Sequence, residues 1–157
     1  MSAELPRAGL IAEGVHRYPV RVYYEDTDAA GIVYYANYLK FIERGRTEMM
    51  RLLGVEHSRQ RAEAGLAFVV RRVTAEYLAP ARLDDALVVV TRVVGCTGAA
   101  LDLVQEVRRD DVPLVRVDIG IACVGQTGRP TRIPPALRAA LQTLNPSNDR
   151  MVTAHAR

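Results

Sequence analysis

The sequence predicts an α+β chain: a five-stranded antiparallel sheet half covered by one long helix, with a short helix at the C-terminal end. Three observations carry this. From about Tyr34 to Leu53 the apolar residues recur at the spacing of an amphipathic helix. Four strand-like runs follow, separated by breaks rich in Gly, Pro and Asp. One further strand precedes the helix, so helix and strands are segregated along the chain as in α+β proteins.

Taken in order, residues 1–14 carry Pro6, Gly9 and Gly14 without a lasting period and read as a flexible lead-in. Tyr18–Tyr24 alternates as a first strand, with Val20 and Val22 on one face, and the turn Glu25–Gly31 ends it. In the long helix Tyr38, Ile42, Gly45, Met49 and Leu52 form the apolar stripe, and Leu39 and Leu53 widen it. Lys40, Glu43, Arg44, Thr47, Glu48 and Arg51 lie opposite. Gly45 on the stripe costs about 1 kcal/mol of helix propensity against Ala, which close approach of helix to sheet would offset. Gly54 supplies a C-terminal cap.

The polar stretch His57–Gly65 has room for a short helix or turn, and the four strands are Ala67–Tyr77, Leu83–Val94, Ala100–Arg109 and Leu114–Val124. In the last of these Val115, Val117, Ile119, Ile121 and Cys123 share one face. Pro134-Pro135 opens the C-terminal helix, which runs to about Leu144 with Leu137, Leu141 and Leu144 as its stripe. Residues 15–145 therefore read as one domain and residues 146–157 as a polar tail.

With 157 residues the chain can bury roughly 70% of its unfolded surface in a single core. Its 49% hydrophobic and 25% charged residues are those of an ordinary globular domain. The net charge of +3 is small and only Arg71-Arg72 and Arg108-Arg109 are adjacent basic pairs, which argues against a nucleic-acid stripe. Of the 21 basic residues only Lys40 is lysine, a skew we read as compositional habit. Cys96 and Cys123 sit in strand-like apolar runs without metal-ligand spacing and read as buried, inert thiols. His16, His57 and His155 are isolated. No secretory pattern opens the chain and no apolar run approaches a membrane span, so a cytoplasmic protein without membrane insertion is expected.

The chemistry concentrates in Val22–Arg46, VYYEDTDAAGIVYYANYLKFIERGR. Asp26 and Asp28 lie on a turn that ends in Gly31, immediately before the helix. First-turn N–H groups of a helix have no partner within it. A carboxylate beside free, oriented N–H donors is the minimum equipment for attack on a carbonyl and stabilisation of the oxyanion that forms. An Asp on such a turn is more often an Asx-turn or a helix cap. Tyr34, Tyr38 and Phe41 read first as core aromatics, at least two of them.

Asp26-Thr27-Asp28-Ala29-Ala30-Gly31-Ile32-Val33-Tyr34-Tyr35-Ala36-Asn37-Tyr38 resembles the signature of hotdog-fold acyl-CoA thioesterases of the 4-hydroxybenzoyl-CoA thioesterase type. Phe68-Val69-Val70-Arg71-Arg72 and Glu76-Tyr77-Leu78-Ala79-Pro80-Ala81-Arg82-Leu83-Asp84-Asp85 resemble more closely the branch associated with the bacterial Tol–Pal cell-envelope system. Three blocks in order, within about Tyr18 to Pro135, make the resemblance specific. It implies a hotdog fold, in which the sheet wraps around the long helix, and an acyl-CoA thioesterase needing no cofactor.

By the resemblance Asp28 is the catalytic carboxylate, as nucleophile or as base for water, and the Tyr35 N–H is the oxyanion donor. Asp26 is structural, and Gly31, Val33 and Tyr34 lie beside the substrate. The resemblance also implies cations for the CoA phosphates, for which Arg71, Arg72 and Arg132, with Arg129, are the candidates. Singly, each of these arginines reads as a solvated surface residue. Two departures stand out. Relatives often carry His where this chain has Tyr35, and they place basic residues in the turn that here reads Gly95-Cys96-Thr97-Gly98-Ala99-Ala100. Family members are homodimers or homotetramers with sites at subunit junctions.

Other readings remain at this level. Another hotdog class carries its carboxylate on the central helix, where this chain has Glu48; an ion pair with Arg44 or Arg51 explains that residue more simply. A hotdog dehydratase would show a His in the motif segment, and none lies between His16 and His57. A non-catalytic hotdog scaffold, binding acyl carrier protein or a cell-envelope partner, is the alternative from another class. The uncharged turn at Gly95–Ala100 favours it and the intact Asp28 block opposes it.

Overall fold

The computed structural model describes residues 7–145, His57 by its backbone alone. The first six residues of the expected lead-in and the expected tail 146–157 lie outside that range. Antiparallel strands β1 (Leu10–Ala12), β2 (Val15–Arg21), β3 (Ala67–Tyr77), β4 (Ala86–Thr97), β5 (Ala100–Arg109) and β6 (Val112–Val124) form one sheet in the order β1-β2-β4-β5-β6-β3. Helices are α1 (Asn37–Leu52), α2 (His57–Ala64) and α3 (Pro135–Gln142).

The sheet has six strands, not five. Glu13 and Gly14 both take positive φ, 55° and 73°, and turn the chain back so that Leu10–Ala12 pairs with Val15–Arg17. Three residues are too few to show a period. The strand before the helix also lies earlier than its alternation suggested, at Val15–Arg21, because its register on β4 runs from His16 to Arg21.

Residues paired across antiparallel strands share a face. Val115, Val117, Ile119, Ile121 and Cys123 of β6 thus join Leu101, Leu103 and Val107 of β5 and Leu87, Val89 and Val93 of β4 in one buried layer. Helix α1 lies across that layer, over β2, β4 and β5. Its buried stripe is Tyr38, Phe41, Ile42, Gly45, Met49 and Met50, whereas Leu39 and Leu52 are exposed. The helix begins at Asn37, three residues later than its apolar spacing suggested, and the line it presents to the sheet runs through Phe41 and Met50. Leu137, Leu141 and Leu144 close the core from the C-terminal side as expected. Cys123 is buried and Cys96 half-buried, and burial raises both thiol pKa values.

Gly45 lets α1 approach the sheet. A Cβ there would sit 2.7 Å from Val89 Cγ1 and 3.1 Å from Val89 Cβ. Valine is stiff at χ1 and cannot swing aside. Gly45→Ala should therefore destabilise the fold by about 1–3 kcal/mol in denaturant unfolding, despite gaining helix propensity.

His16 is fully buried on β2; its Nε2 donates to the Ala8 carbonyl at 2.9 Å, while Nδ1 has no partner among the described residues. Burial holds its pKa below the ordinary 6.5, although the Ala8 bond and the charge of Glu48 pull the other way. The folded state therefore keeps the ring neutral where the unfolded chain already takes a proton, so stability falls as pH drops below 6.5 towards the depressed folded value. Urea unfolding followed downward from neutral pH should show that loss, and His16→Gln should lack the part of the slope that sets in at 6.5.

Candidate active site

After β2 the chain keeps company with the loop before β4: Val22 N–H donates to the Asp85 carbonyl at 3.0 Å and the Val22 carbonyl accepts from Asp84 N–H at 3.1 Å. A 3-10 turn at Tyr24–Asp26 then reverses its direction. Asp26 is buried, 8% exposed, and its Oδ2 accepts from Tyr23 N–H at 2.8 Å. Such a carboxylate organises backbone and is not presented to a ligand, in line with the structural role expected for it.

A tight hairpin follows. Thr27 pairs with Val33, Asp28 N–H donates to the Ile32 carbonyl at 2.9 Å, and Gly31 N–H donates to the Asp28 carbonyl at 3.0 Å. Gly31 has φ 78°, the left-handed conformation that such a loop needs and that glycine enters without steric penalty. Asp28 stands exposed at the corner. Its Oδ1 accepts from Ala30 N–H at 2.8 Å, an Asx-turn that orients the carboxylate, and Oδ2 has no partner among the described residues. The turn bond and an available oxygen coexist in one side chain.

The return limb is tied from below and behind. Val33 N–H donates to the Ala81 carbonyl at 2.9 Å and Ile32 pairs with Arg82. Tyr34 N–H and Asn37 Nδ2 both donate to the Asp26 carbonyl, each at 2.9 Å, and Asn37 N–H donates to the Tyr34 carbonyl at 2.8 Å. Helix α1 starts there. The Tyr35 N–H, between these anchors and just ahead of the helix, meets no acceptor among the described residues. Beneath the hairpin, the third motif block, Glu76–Asp85, forms its floor: Asp85 Oδ2 accepts from Arg82 N–H and from Arg109 Nη1, both at 2.8 Å. Burial pushes the Asp85 carboxyl up, but those two donors and the Arg109 charge bring it below its ordinary value.

Tyr38 and Phe41 are core aromatics, and Tyr34 is exposed. Tyr38 Oη accepts from Ala81 N–H at 2.9 Å, and burial raises its pKa. Tyr34 and Tyr35 lie ring to ring at 4.8 Å; the hydrogen bond with the Tyr35 side chain raises the Tyr34 hydroxyl pKa. Tyr77, at the end of β3, donates from its hydroxyl to the Tyr35 carbonyl at 3.0 Å.

The fold brings Asp28, Gly31, Tyr34 and Tyr35 into one hairpin-to-helix junction. Val33, expected beside the substrate, instead buries its side chain in the core, 3% exposed, and supports the junction from beneath. The arginines are elsewhere. Arg71 is the unpaired residue of a bulge in β3. Arg72 lies over Gly120 on the sheet face away from α1, with its Nη2 3.3 Å from Asp102 Oδ1. Both are about 17 Å or more up β3 from Tyr77 at about 3.3 Å per residue. Arg132 is exposed next to Ile133, whose N–H reaches the Gly98 carbonyl at the far end of the sheet. Glu48 pairs with Arg51 at 3.5 Å on the polar side of α1.

Three residues escaped the sequence reading. Asn37 and Tyr77 act on the junction through hydrogen bonds that no local pattern announces. Arg138 of α3 donates to the carbonyls of Cys96 and Gly98 at 3.2 and 2.7 Å, so the turn that lacks charge in sequence has a guanidinium in space. Among the described residues no three His, Cys, Asp or Glu side chains gather closely enough to hold a metal ion, and no helix is long and apolar enough to cross a membrane.

Comparison with known proteins bears on this geometry. An acyl-CoA thioesterase of Haemophilus influenzae, YbgC, is 42% identical over 129 residues, 81% of this chain and 94% of that one. An acyl-CoA thioester hydrolase YbgC of Escherichia coli is 43% identical over 125 residues, covering 78% and 92%. Among solved structures, a probable thioesterase from Bartonella henselae superposes with a TM-score of 0.73 at 36% identity, over 76% of this chain and 99% of that one. Residues 22–141, which contain the hairpin, its floor, α1 and the whole sheet except β1 and β2, match the Thioesterase-like superfamily, and the chain belongs to that family with its hotdog fold.

Proposed function

We propose that the protein hydrolyses acyl-CoA thioesters, with Asp28 as the reacting carboxylate and the Tyr35 N–H as oxyanion donor. The observation that carries this is the junction itself: an exposed carboxylate with one oxygen held and one available, in the same hairpin-to-helix segment as a backbone N–H with no acceptor among the described residues. Asp28 Oδ2 either attacks the thioester carbonyl or takes a proton from an attacking water. In both routes the carbonyl oxygen becomes an oxyanion, the C–S bond breaks, and the thiolate leaves and is protonated; in the first route water then cleaves the acyl anhydride on Asp28, releasing the acid and restoring the carboxylate. A lone backbone donor aimed at that oxyanion is worth on the order of 10²-fold in rate. The relatives named above support CoA as the carrier, and the same reading puts the enzyme in the cytoplasm.

The reading extends to a homodimer. β3 is an edge strand of 11 residues. Its helix-facing side chains Val70, Val73 and Tyr77 are 41%, 44% and 46% exposed, because α1 does not reach over them. A long apolar edge is a template for pairing with another strand. Antiparallel pairing of β3 with its copy sets the Arg71 and Arg72 end of one chain beside the Tyr77 end of the other. The candidate phosphate cations Arg71 and Arg72, distant from Asp28 within a chain, then come from the partner, with Arg132 and Arg138 at the same end of the sheet. The same pairing brings up a cavity of about 370 Å³ with an apolar wall of Met50, Phe68, Val70, Leu101 and Ile121 for the acyl group and a polar wall that includes Glu43, Arg46 and Arg61. The non-catalytic alternative leaned on the uncharged turn, and Arg138 removes that support.

Thiol release from short, long and aromatic acyl-CoAs tests the chemistry. Asp28→Ala should lower kcat by at least about 10²-fold with the circular dichroism of the fold retained; equal turnover in the variant sinks the assignment. Val73→Lys should halve the mass seen in light scattering and remove turnover, since a charge on the edge blocks strand pairing. A monomeric wild-type enzyme that turns over would refute the shared site.

A further inference from the structure

The Tyr35 N–H can act as an oxyanion donor only if its direction is fixed, and two bonds fix it. A trans peptide is planar, so the N–H of Tyr35 points opposite to the carbonyl of Tyr34. That carbonyl accepts from Asn37 N–H at 2.8 Å, which holds the peptide unit from one side. The next peptide unit is held by a residue remote in sequence, for the Tyr35 carbonyl accepts from the Tyr77 hydroxyl at 3.0 Å. Rotation at Tyr35 would have to break one bond or the other.

We infer that Tyr77 is a positioning residue for the oxyanion donor: its hydroxyl clamps the Tyr35 carbonyl and so aims the Tyr35 N–H. This rests on the reading of Tyr35 proposed above. The clamp is itself well held. The Tyr77 ring packs edge-on to Tyr38, centroids 5.9 Å apart, and to Tyr35 at 6.2 Å, and Tyr38 is anchored by Ala81 N–H. Its backbone belongs to β3, opposite Val115, so a rigid strand carries the clamp and the floor of the hairpin carries its support. Burial and the neighbouring Tyr35 raise the hydroxyl's pKa, which keeps it a donor through neutral pH. No substrate contact is required of Tyr77.

The test uses Tyr77→Phe, which removes the hydroxyl and keeps the ring, and a semisynthetic enzyme in which the amide between Tyr34 and Tyr35 is replaced by an ester, which removes that N–H and weakens the Tyr34 carbonyl as an acceptor. With acyl-CoA as substrate, Tyr77→Phe should lower kcat about fivefold, the rate equivalent of one neutral hydrogen bond, and leave KM within about twofold. In the ester enzyme the same substitution should have no further effect, because there is no N–H left to aim. A merely structural tyrosine would lower both enzymes by the same factor, and that result overturns the inference while leaving the oxyanion reading intact. Unchanged kcat in Tyr77→Phe overturns it too. An ester enzyme as fast as the amide one removes the oxyanion reading itself, and the inference with it.

Discussion

The carbonyl of Asp26 accepts two hydrogen bonds at once, from Tyr34 N–H and from Asn37 Nδ2, and both halves of the site hang on it. Asp28 stands two residues beyond this carbonyl on the outgoing limb, and Tyr35 one residue beyond Tyr34 on the return. Because one oxygen ties the start of the hairpin to the start of α1, the carboxylate and the N–H are set by the same short covalent path. Buried backbone acceptors are rarely left unpaired, and here the pairing shapes the site. The carboxylate of the same residue, turned back onto Tyr23 N–H, keeps the approach to the hairpin from unwinding.

The two edges of the sheet are treated differently. One edge is β1, three residues long and a poor template for pairing. The other is β3, long and apolar, with Val70, Val73 and Tyr77 on a face that the chain's own helix leaves bare. Natural sheets usually blunt such an edge with charge or proline. The interior of β3 carries Arg71 and Arg72, but Arg71 is bulged out of the ladder and Arg72 is folded onto the far face against Asp102. Neither guards the helix-facing side. A strand in that condition is consistent with a partner strand of its own kind, and the position of Tyr77 near its end links the edge to the junction.

Much of this was legible in the sequence. The strand runs Ala67–Tyr77 and Ala100–Arg109 have the predicted ends, and α1 and α3 carry most of their predicted stripes. These elements follow from local periodicity, which one chain displays in full. Gly45 could be read as a contact point because a glycine on an apolar stripe weakens the helix unless something sits close, and Val89 does. What failed was short or non-local. β1 is too brief to have a period; Val33 sits in the motif yet faces the core because its pairing with Thr27 sets its side; and Tyr77, Asn37 and Arg138 act through partners 42, 11 and 40–42 residues away. The hydroxyl, amide and guanidinium groups concerned are common on surfaces, and only the fold shows which carbonyls they meet.

The structure also alters how Asp28 should be weighed. From sequence, an Asx-turn and a catalytic carboxylate are competing explanations for the same residue. In the molecule the bond from Ala30 N–H to Oδ1 satisfies the first without excluding the second. A carboxylate has two oxygens and about four lone-pair directions, so the turn uses a fraction of its capacity while removing most of its freedom to rotate. An exposed aspartate that rotates freely must lose that entropy to react; one already clamped by its own turn has lost it on folding. The turn is therefore part of the case for chemistry at Asp28, and Gly31, whose positive φ allows the loop to close behind it, belongs to the same device.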